Sequence, residues 1–262
     1  MYPIELKSKF IDLKKNDYYK IIVITGNKKR HQRFAYRIQK EFPAQVVAWY
    51  ELDQNIKSIT NPKKKSKRHK NNKLKSNVNN ISRVFYFLSS NSYKSLIKKM
   101  INKLYFIYYN YASKENTKIF DNELSRLKNK STLSRKRIHP KDVNSKWFVN
   151  EIKNHDAYFL LTLGGPLYKK DIINSVNGYA INQHAGHSPN YKGSKTIYWA
   201  LFHRKLEYVS STVHLLDSGA DSGPILRRTN VIINPNDTPE KIFNRSVALG
   251  TELMIEVVSE IM

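Results

Sequence analysis

The chain has 262 residues, 40% hydrophobic and 26% charged, enough for one sizeable core and a second small module, which excludes both a peptide and a large multidomain assembly. Its 46 Lys and Arg against 21 Asp and Glu give a formal charge of +25; residues 151–262 hold 11 of each sign, so the excess lies entirely in residues 1–150, where it points to nucleic acid or an anionic membrane as partner. The absence of cysteine excludes disulfide frameworks, thiolate metal sites and cysteine nucleophiles.

Residues 20–25 are a β-branched run ending at Gly26-Asn27, and 28–41 read as a helix, so the chain opens with a strand, a glycine turn and a helix. Residues 45–50, bounded upstream by Pro43, read as a second strand. The pattern is the βαβ opening of a doubly wound, mostly parallel α/β sheet, which carries its ligand crevice at the strand ends. Residues 54–82 then hold nine Lys and Arg and no Asp or Glu, a composition that buries too little apolar area to offset its ordering entropy and reads as a loop. The run from Lys63 to Lys75 suits an anionic ligand or a membrane surface, although such runs are most often solvated. Residues 84–130, rich in Tyr, Phe, Ile and Leu with interspersed lysines, suit one or two amphipathic helices. Strand and helix alternation resumes near His139-Pro140. Helices are expected over 147–154, 169–175, 194–203 and 239–262, and strands over 157–162, 179–183, 208–215 and 225–233. Thr238-Pro239 is a good cap and first-turn pair for the last helix. Three parts follow: 1–50 as the first βαβ portion, 51–138 as a basic insertion, partly disordered and partly helical, and 139–262 as the portion carrying the chemistry.

Two constellations stand out. Asn182-Gln183-His184 lies where an apolar strand gives way to Ala185-Gly186-His187-Ser188-Pro189, a loop at a strand's carboxyl end. Asn182 and His184 are two apart and share one strand face, and an amide donor beside an imidazole can polarise a carbonyl, which suits acyl or formyl transfer. A turn asparagine and a satisfied loop histidine are the plainer alternative. The second is the loop from Leu216 through Asp217, Gly219, Ala220 and Asp221 to Gly223-Pro224. A carboxylate there can hold an imidazole in one tautomer or collect a proton, yet Asp-Ser-Gly repeated four residues apart is also ordinary turn chemistry. His214, inside an apolar run, reads as a packed strand residue. No carboxylate pattern accompanies the histidines as a zinc site requires, so no metal is expected. Gly26-Asn27 lacks the later glycines of a dinucleotide fingerprint and marks a tight turn able to approach a phosphate.

Taken together these segments resemble the formyltransferase family that uses 10-formyltetrahydrofolate, whose members formylate amino sugars, glycinamide ribonucleotide or methionyl-tRNA. The family signature is Asn-x-His, a short loop, Pro, then an aromatic residue two further on and Gly two beyond it; Asn182, His184, Pro189, Tyr191 and Gly193 fall in that register. Thr196, Tyr198-Trp199-Ala200 and the run Val213-His214 to Asp217-x-Gly219-x-Asp221-x-Gly223-Pro224-Ile225 extend it. The likeness covers 20–50 loosely and 140–245 well. It departs at Ala185-Gly186, where the family often has Pro-Ser, and 54–130 has no counterpart.

The resemblance implies a Rossmann-like formyltransferase fold with 10-formyltetrahydrofolate as co-substrate. It implies Asn182, His184 and Asp221 as catalytic residues, with Asn182 and a protonated His184 as oxyanion donors and Asp221 raising the pKa of His184. The folate would lie along Leu161, Leu163, Gly164 and Gly165 and along Leu216, Asp217, Gly219 and Ala220. Gly26, Asn27, His187, Ser188, Tyr191 and Gly193 would face the acceptor. Thr25-Gly26-Asn27 with Arg30-His31 and Phe34 is similar to members that modify surface sugars, which implies an amino sugar linked to a nucleotide. Formylation of an aminoacyl-tRNA is favoured by the basic first half, although it would call for a long C-terminal domain, which is not expected here. Purine-precursor formylation, or a non-catalytic protein on the same fold that binds nucleic acid or membrane, are the remaining readings. A homodimer is expected, and so is a cytoplasmic location, since no window approaches the roughly 18 apolar residues of a spanning helix and no signal-peptide layout opens the chain.

Overall fold

A computed structural model of the protein describes residues 18–60 and 118–262. Among these residues the strands and α-helices follow in the order β1 (Ile21–Thr25), α1 (Lys29–Glu41), β2 (Val46–Leu52), α2 (Lys118–Asn129), β3 (Arg135–Ile138), α3 (Lys146–Lys153), β4 (Phe159–Leu163), α4 (Lys170–Ile173), β5 (Tyr179–His184), α5 (Thr196–Phe202), β6 (Ser210–Leu215), β7 (Ile225–Asn230) and α6 (Pro239–Ile261). The strands form one sheet in the order β3-β2-β1-β4-β5-β6-β7. The first five run parallel, and β6 and β7 are antiparallel additions at one edge. This is the doubly wound, mostly parallel α/β class, and the strand order reverses direction between β1 and β4.

The central strands are apolar on both faces because helices cover both. Along β1, Ile21 and Val23 point into a core with Phe34 and Ile38 of α1 and Val247, Met254 and Val258 of α6. Ile22 and Ile24 point the other way, toward Phe148 and Ile152 of α3 and Ile172 of α4. Successive side chains alternate across a strand, so one run of β-branched residues feeds two cores. The Thr238 hydroxyl accepts the Lys241 N–H at 3.3 Å with Pro239 behind it, capping α6 as its sequence dictates.

The division at residues 51 and 138 differs from the structure. Glu51 and Leu52 complete β2, and Arg135–Ile138 is a seventh strand, paired parallel with it. Arg-Lys-Arg-Ile has no apolar alternation because this edge strand is held by charge: Arg135 reaches the buried Glu51 carboxylate at 3.0 Å. The helix α2 rests against α1 through Lys29–Asp121 at 2.6 Å and Arg33–Glu123 at 2.7 Å. The loop after β2 is tied down by the buried Asp142 carboxylate, which accepts from Ser58 Oγ at 2.5 Å, Thr60 Oγ1 at 2.6 Å and the Ile59 N–H at 2.9 Å. The basic run Lys63–Lys75, the rest of the expected loop beyond residue 60, and the expected helices over 84–117 lie outside the described residues. Among the described residues no helix is long and apolar enough to cross a membrane.

Candidate active site

The strand β5 ends in Asn182-Gln183-His184, and its neighbours decide what those side chains meet. Register places Thr162 of β4 and His214 of β6 on either side of Asn182, a row of three polar residues across three adjacent strands. Thr162 Oγ1 donates to Asn182 Oδ1 at 2.8 Å. That bond turns the amide so that Nδ2 donates to His214 Nε2 at 3.1 Å and to Asp221 Oδ1 at 3.2 Å. On its other side, His214 Nδ1 meets the Leu215 carbonyl at 2.8 Å, and its Nε2 lies 3.5 Å from Asp221 Oδ1. Read first as a packed strand residue, His214 contacts both Asn182 and Asp221. Its signal is the direct pairing of β6 on β5, which needs the sheet register to be seen.

His184, next on the same strand face, is bracketed by two acceptors. Its Nδ1 lies 3.1 Å from Asp221 Oδ2 and its Nε2 2.9 Å from the Tyr191 carbonyl. Only an imidazolium donates to both at once. Burial nevertheless pushes His184 below the ordinary imidazole range, against the upward pull of the Asp221 charge and the Tyr191 carbonyl. The expectation that Asp221 raises this pKa is therefore corrected in its net direction: the charge acts as foreseen, and desolvation outweighs it.

Asp221 is brought here by its loop. Leu216 N–H bonds the Ala180 carbonyl at 2.8 Å, and the chain then doubles back through a left-handed Asp221 (φ +49°), a conformation that Asn and Asp tolerate better than most residues other than glycine. Asp221 Oδ2 also accepts the Gly193 N–H at 2.8 Å. Burial works against this carboxylate, but the His214 and His184 rings and the Gly193 amide outweigh it and hold its carboxyl below the usual range. Asp217, the other acid of the loop, caps its own turn by accepting Gly219 N–H at 3.1 Å and Ser222 Oγ at 2.9 Å.

The structure thus gathers Asn182, His184 and Asp221, with Tyr191 and Gly193 touching them through backbone atoms. Leu163 pairs with Gln183 at the end of β4, and Gly164 and Gly165 follow with φ of +74° and +128°. Gly219 and Ala220 are exposed on the loop that carries Asp221. Leu161, by contrast, lies inside β4 between Val23 and Ile181 with its side chain in the core, so it does not reach the crevice. His187 is also drawn away: its Nδ1 meets Ser210 Oγ at 3.2 Å and its ring abuts Tyr208. Ser188 is buried, its hydroxyl donating to the Asp221 carbonyl at 3.1 Å and its carbonyl accepting from Arg228 at 2.8 Å; it supports the loop and does not face an acceptor. Gly26 N–H bonds the Leu163 carbonyl at 3.2 Å, and Asn27 is exposed beside it at the crevice between β1 and β4. The His31 ring fills the space between Gly26 and Gly164, and burial, with Arg30 and Lys28 adding to it, lowers its pKa to about 3. Among the described residues no group of three His, Cys, Asp or Glu side chains is arranged to hold a metal ion.

Comparison with known proteins fits this geometry. The formyl transferase family model matches residues 109–258, more than half of the chain. A methionyl-tRNA formyltransferase of Thermodesulfovibrio yellowstonii is 29% identical over 122 residues, 46% of this chain and 39% of the relative. The chain thus spans about two-fifths of the length of the curated relatives it matches. Among solved structures, a sugar N-formyltransferase from a Shewanella species superposes with a TM-score of 0.51 at 15% identity, covering 92% of this chain and 70% of that one. A phosphoribosylglycinamide formyltransferase from Anaplasma phagocytophilum gives 0.55 at 12% identity, covering 92% and 85%. At these identities the structural likeness is one of fold.

Proposed function

We propose, from the premise that this chain belongs to the formyl transferase family, that it moves a formyl group from 10-formyltetrahydrofolate to the primary amine of an amino sugar linked to a nucleotide. The observation that carries the reading is the closed cluster at the end of β5, where one carboxylate touches both the imidazole of His184 and the amide of Asn182. The residues present suit the folate donor: Leu163-Gly164-Gly165 and Leu216–Ala220 leave β4 and β6, the two strands flanking β5. They would hold it beside His184, and its part in the chemistry is to present an activated formyl carbon.

The rest is done by the chain's own groups. A bond forms between the amine nitrogen and the formyl carbon while the bond from that carbon to the donor nitrogen breaks, so one proton leaves the amine and one reaches the departing nitrogen. Asp221 takes the first and hands it to His184 Nδ1, 3.1 Å away, while the proton on the opposite ring nitrogen passes to the departing nitrogen, directly or through water, so that carboxylate and imidazole end as they began. In the resting chain both Asn182 N–H groups are already engaged, by Asp221 and His214. Protonation removes the charge of Asp221 and with it most of its hold on Asn182 Nδ2 at 3.2 Å. The freed N–H then meets the negative charge growing on the formyl oxygen, a contribution of about 3–4 kcal/mol for one such donor. No covalent enzyme intermediate is needed, and a cytoplasmic location goes with this reading.

A second reading is favoured by the names of the curated relatives: formylation of methionyl-tRNA. The two are separated by offering the whole chain 10-formyltetrahydrofolate with a panel of nucleotide-linked amino sugars, and separately with methionyl-tRNA, and following formylated product by mass spectrometry. Product on a nucleotide-linked amino sugar supports the first reading. Product on methionyl-tRNA alone overturns it.

A further inference from the structure

The helix α5 buries one face and leaves large aromatic side chains on the other. Thr196, Ile197 and Ala200 are buried, as its inner face requires. On the outer face, Lys195, Trp199 and Phe202-His203 follow one another at helical spacing and are all exposed. Trp199 and Phe202 expose 52% and 76% of their surface, and large aromatic groups left in water in a cluster mark an interaction site. They are arranged and not merely adjacent: the Trp199 and Phe202 rings are perpendicular with centroids 5.9 Å apart, and the His203 ring lies 5.9 Å from Trp199 at 30°.

This face is joined to the catalytic cluster. His203 Nδ1 bonds the Tyr191 hydroxyl at 3.0 Å, while the Tyr191 carbonyl contacts His184 Nε2 at 2.9 Å. Two residues on, Gly193 N–H holds Asp221. A single residue, Tyr191, therefore separates the reacting groups from the exposed aromatics. The charge of the segment is mainly positive: Lys192, Lys195, Arg204 and Lys205 are exposed, no Asp or Glu occurs from residue 190 to residue 206, and the first acid after them, Glu207, lies 3.8 Å from Lys205. A second copy seated here by two-fold symmetry would set these cations against their own images. An anion with a flat aromatic ring is complementary in both respects, since π-faces stack on Trp and Phe while phosphates meet Lys and Arg.

We infer that the outer face of α5 is the nucleotide subsite of the acceptor, with the nucleobase stacked on Trp199 and edge-on to Phe202 and the diphosphate against the lysines and Arg204. This rests on the reading that the acceptor is a nucleotide-linked amine. The test measures binding of dTDP and UDP, without any sugar or folate, by calorimetry to the whole chain and to Trp199→Leu and Trp199→Phe variants. The acceptor KM, the folate KM and kcat are measured for each beside it. The expected result is dTDP or UDP binding weakened about 10-fold in Trp199→Leu and largely retained in Trp199→Phe, with an acceptor KM that rises in parallel and an unchanged folate KM. Turnover of a nucleotide-linked amino sugar that Trp199→Leu leaves unaltered overturns the subsite and spares the proposed reaction. Nucleotide binding at Trp199 without turnover of any such sugar leaves the subsite standing and overturns the proposed acceptor. Sedimentation showing a dimer that Trp199→Leu dissociates assigns the face to a second copy, and tRNA binding that Trp199→Leu abolishes while dTDP and UDP fail to bind assigns it to RNA; either result overturns the proposal.

Discussion

Replacing Gly186 by alanine tests how tightly His184 is held. A Cβ at that position would lie 2.3 Å from His184 Nε2, 2.3 Å from Thr196 Oγ1 and 2.9 Å from Thr196 Cβ, where ordinary contact begins at 3.4 Å. Thr196 cannot yield freely, because its hydroxyl is bonded to the Ala185 carbonyl at 2.6 Å. The Gly186 backbone and the imidazole must therefore both shift, the ring by about 1 Å if it alone clears its own contact, and from starting distances of 3.1 Å to Asp221 and 2.9 Å to Tyr191 such a shift takes the ring out of hydrogen-bond range. A misplacement of about 1 Å at a reacting group costs on the order of 100-fold in rate, and overpacking adds about 1–3 kcal/mol of destabilisation. Initial rates of formyl transfer give the first quantity and urea unfolding the second. The His184 ring signals by NMR report whether the imidazole moved. A Gly186→Ala enzyme with unchanged kcat and undisturbed His184 signals would refute the claim that the space beside Gly186 is what lets the imidazole reach its partners.

Further outcomes follow from the same contacts. Asp221→Asn removes the charge that pulls the His184 pKa upward, so an NMR titration should find it lower still than in the parent, with kcat reduced about 10²–10⁴-fold; an unmoved titration contradicts the pairing. Thr162→Val strands the buried Asn182 carbonyl oxygen at a cost of about 1–3 kcal/mol and lets the amide turn. It should lower the urea midpoint and kcat together with little change in folate KM, and Thr162→Ser should restore both. His31, neutral in the folded chain down to about pH 3 and with an ordinary value of 6.5 when unfolded, makes the unfolded chain bind more protons between those limits. Stability should therefore rise with pH across that window, and a His31→Gln variant should show a shallower rise in its urea midpoints; an identical slope would exclude His31 as a source.

The sequence alone disclosed most of the scaffold. The β-branched run over 20–25 reads as a strand, and Thr238-Pro239 starts α6 where the structure does. What escaped has physical causes. Arg135–Ile138 carries no apolar alternation because charge pairs with Glu51 hold it at the sheet edge. Asn182 and His184 were visible as a pair because they sit two apart on one strand. Thr162 and His214 were not, since each meets Asn182 from a different strand and only the register brings the three together. Asp217 and Asp221 read alike in sequence, and the left-handed turn at Asp221 is what sends one carboxylate into the site and leaves the other capping a loop. The net direction of the His184 shift depends on how far the ring is buried, which no local motif records.

The most direct measurement compares release of tetrahydrofolate from 10-formyltetrahydrofolate by the parent chain, His184→Ala and Asp221→Asn, each with and without the amine acceptor and with folate binding measured in parallel. The expected result is acceptor-dependent release by the parent, its loss in His184→Ala, its reduction in Asp221→Asn, and folate bound by all three. Release that persists at the parent rate in both variants would place the chemistry elsewhere and contradict it.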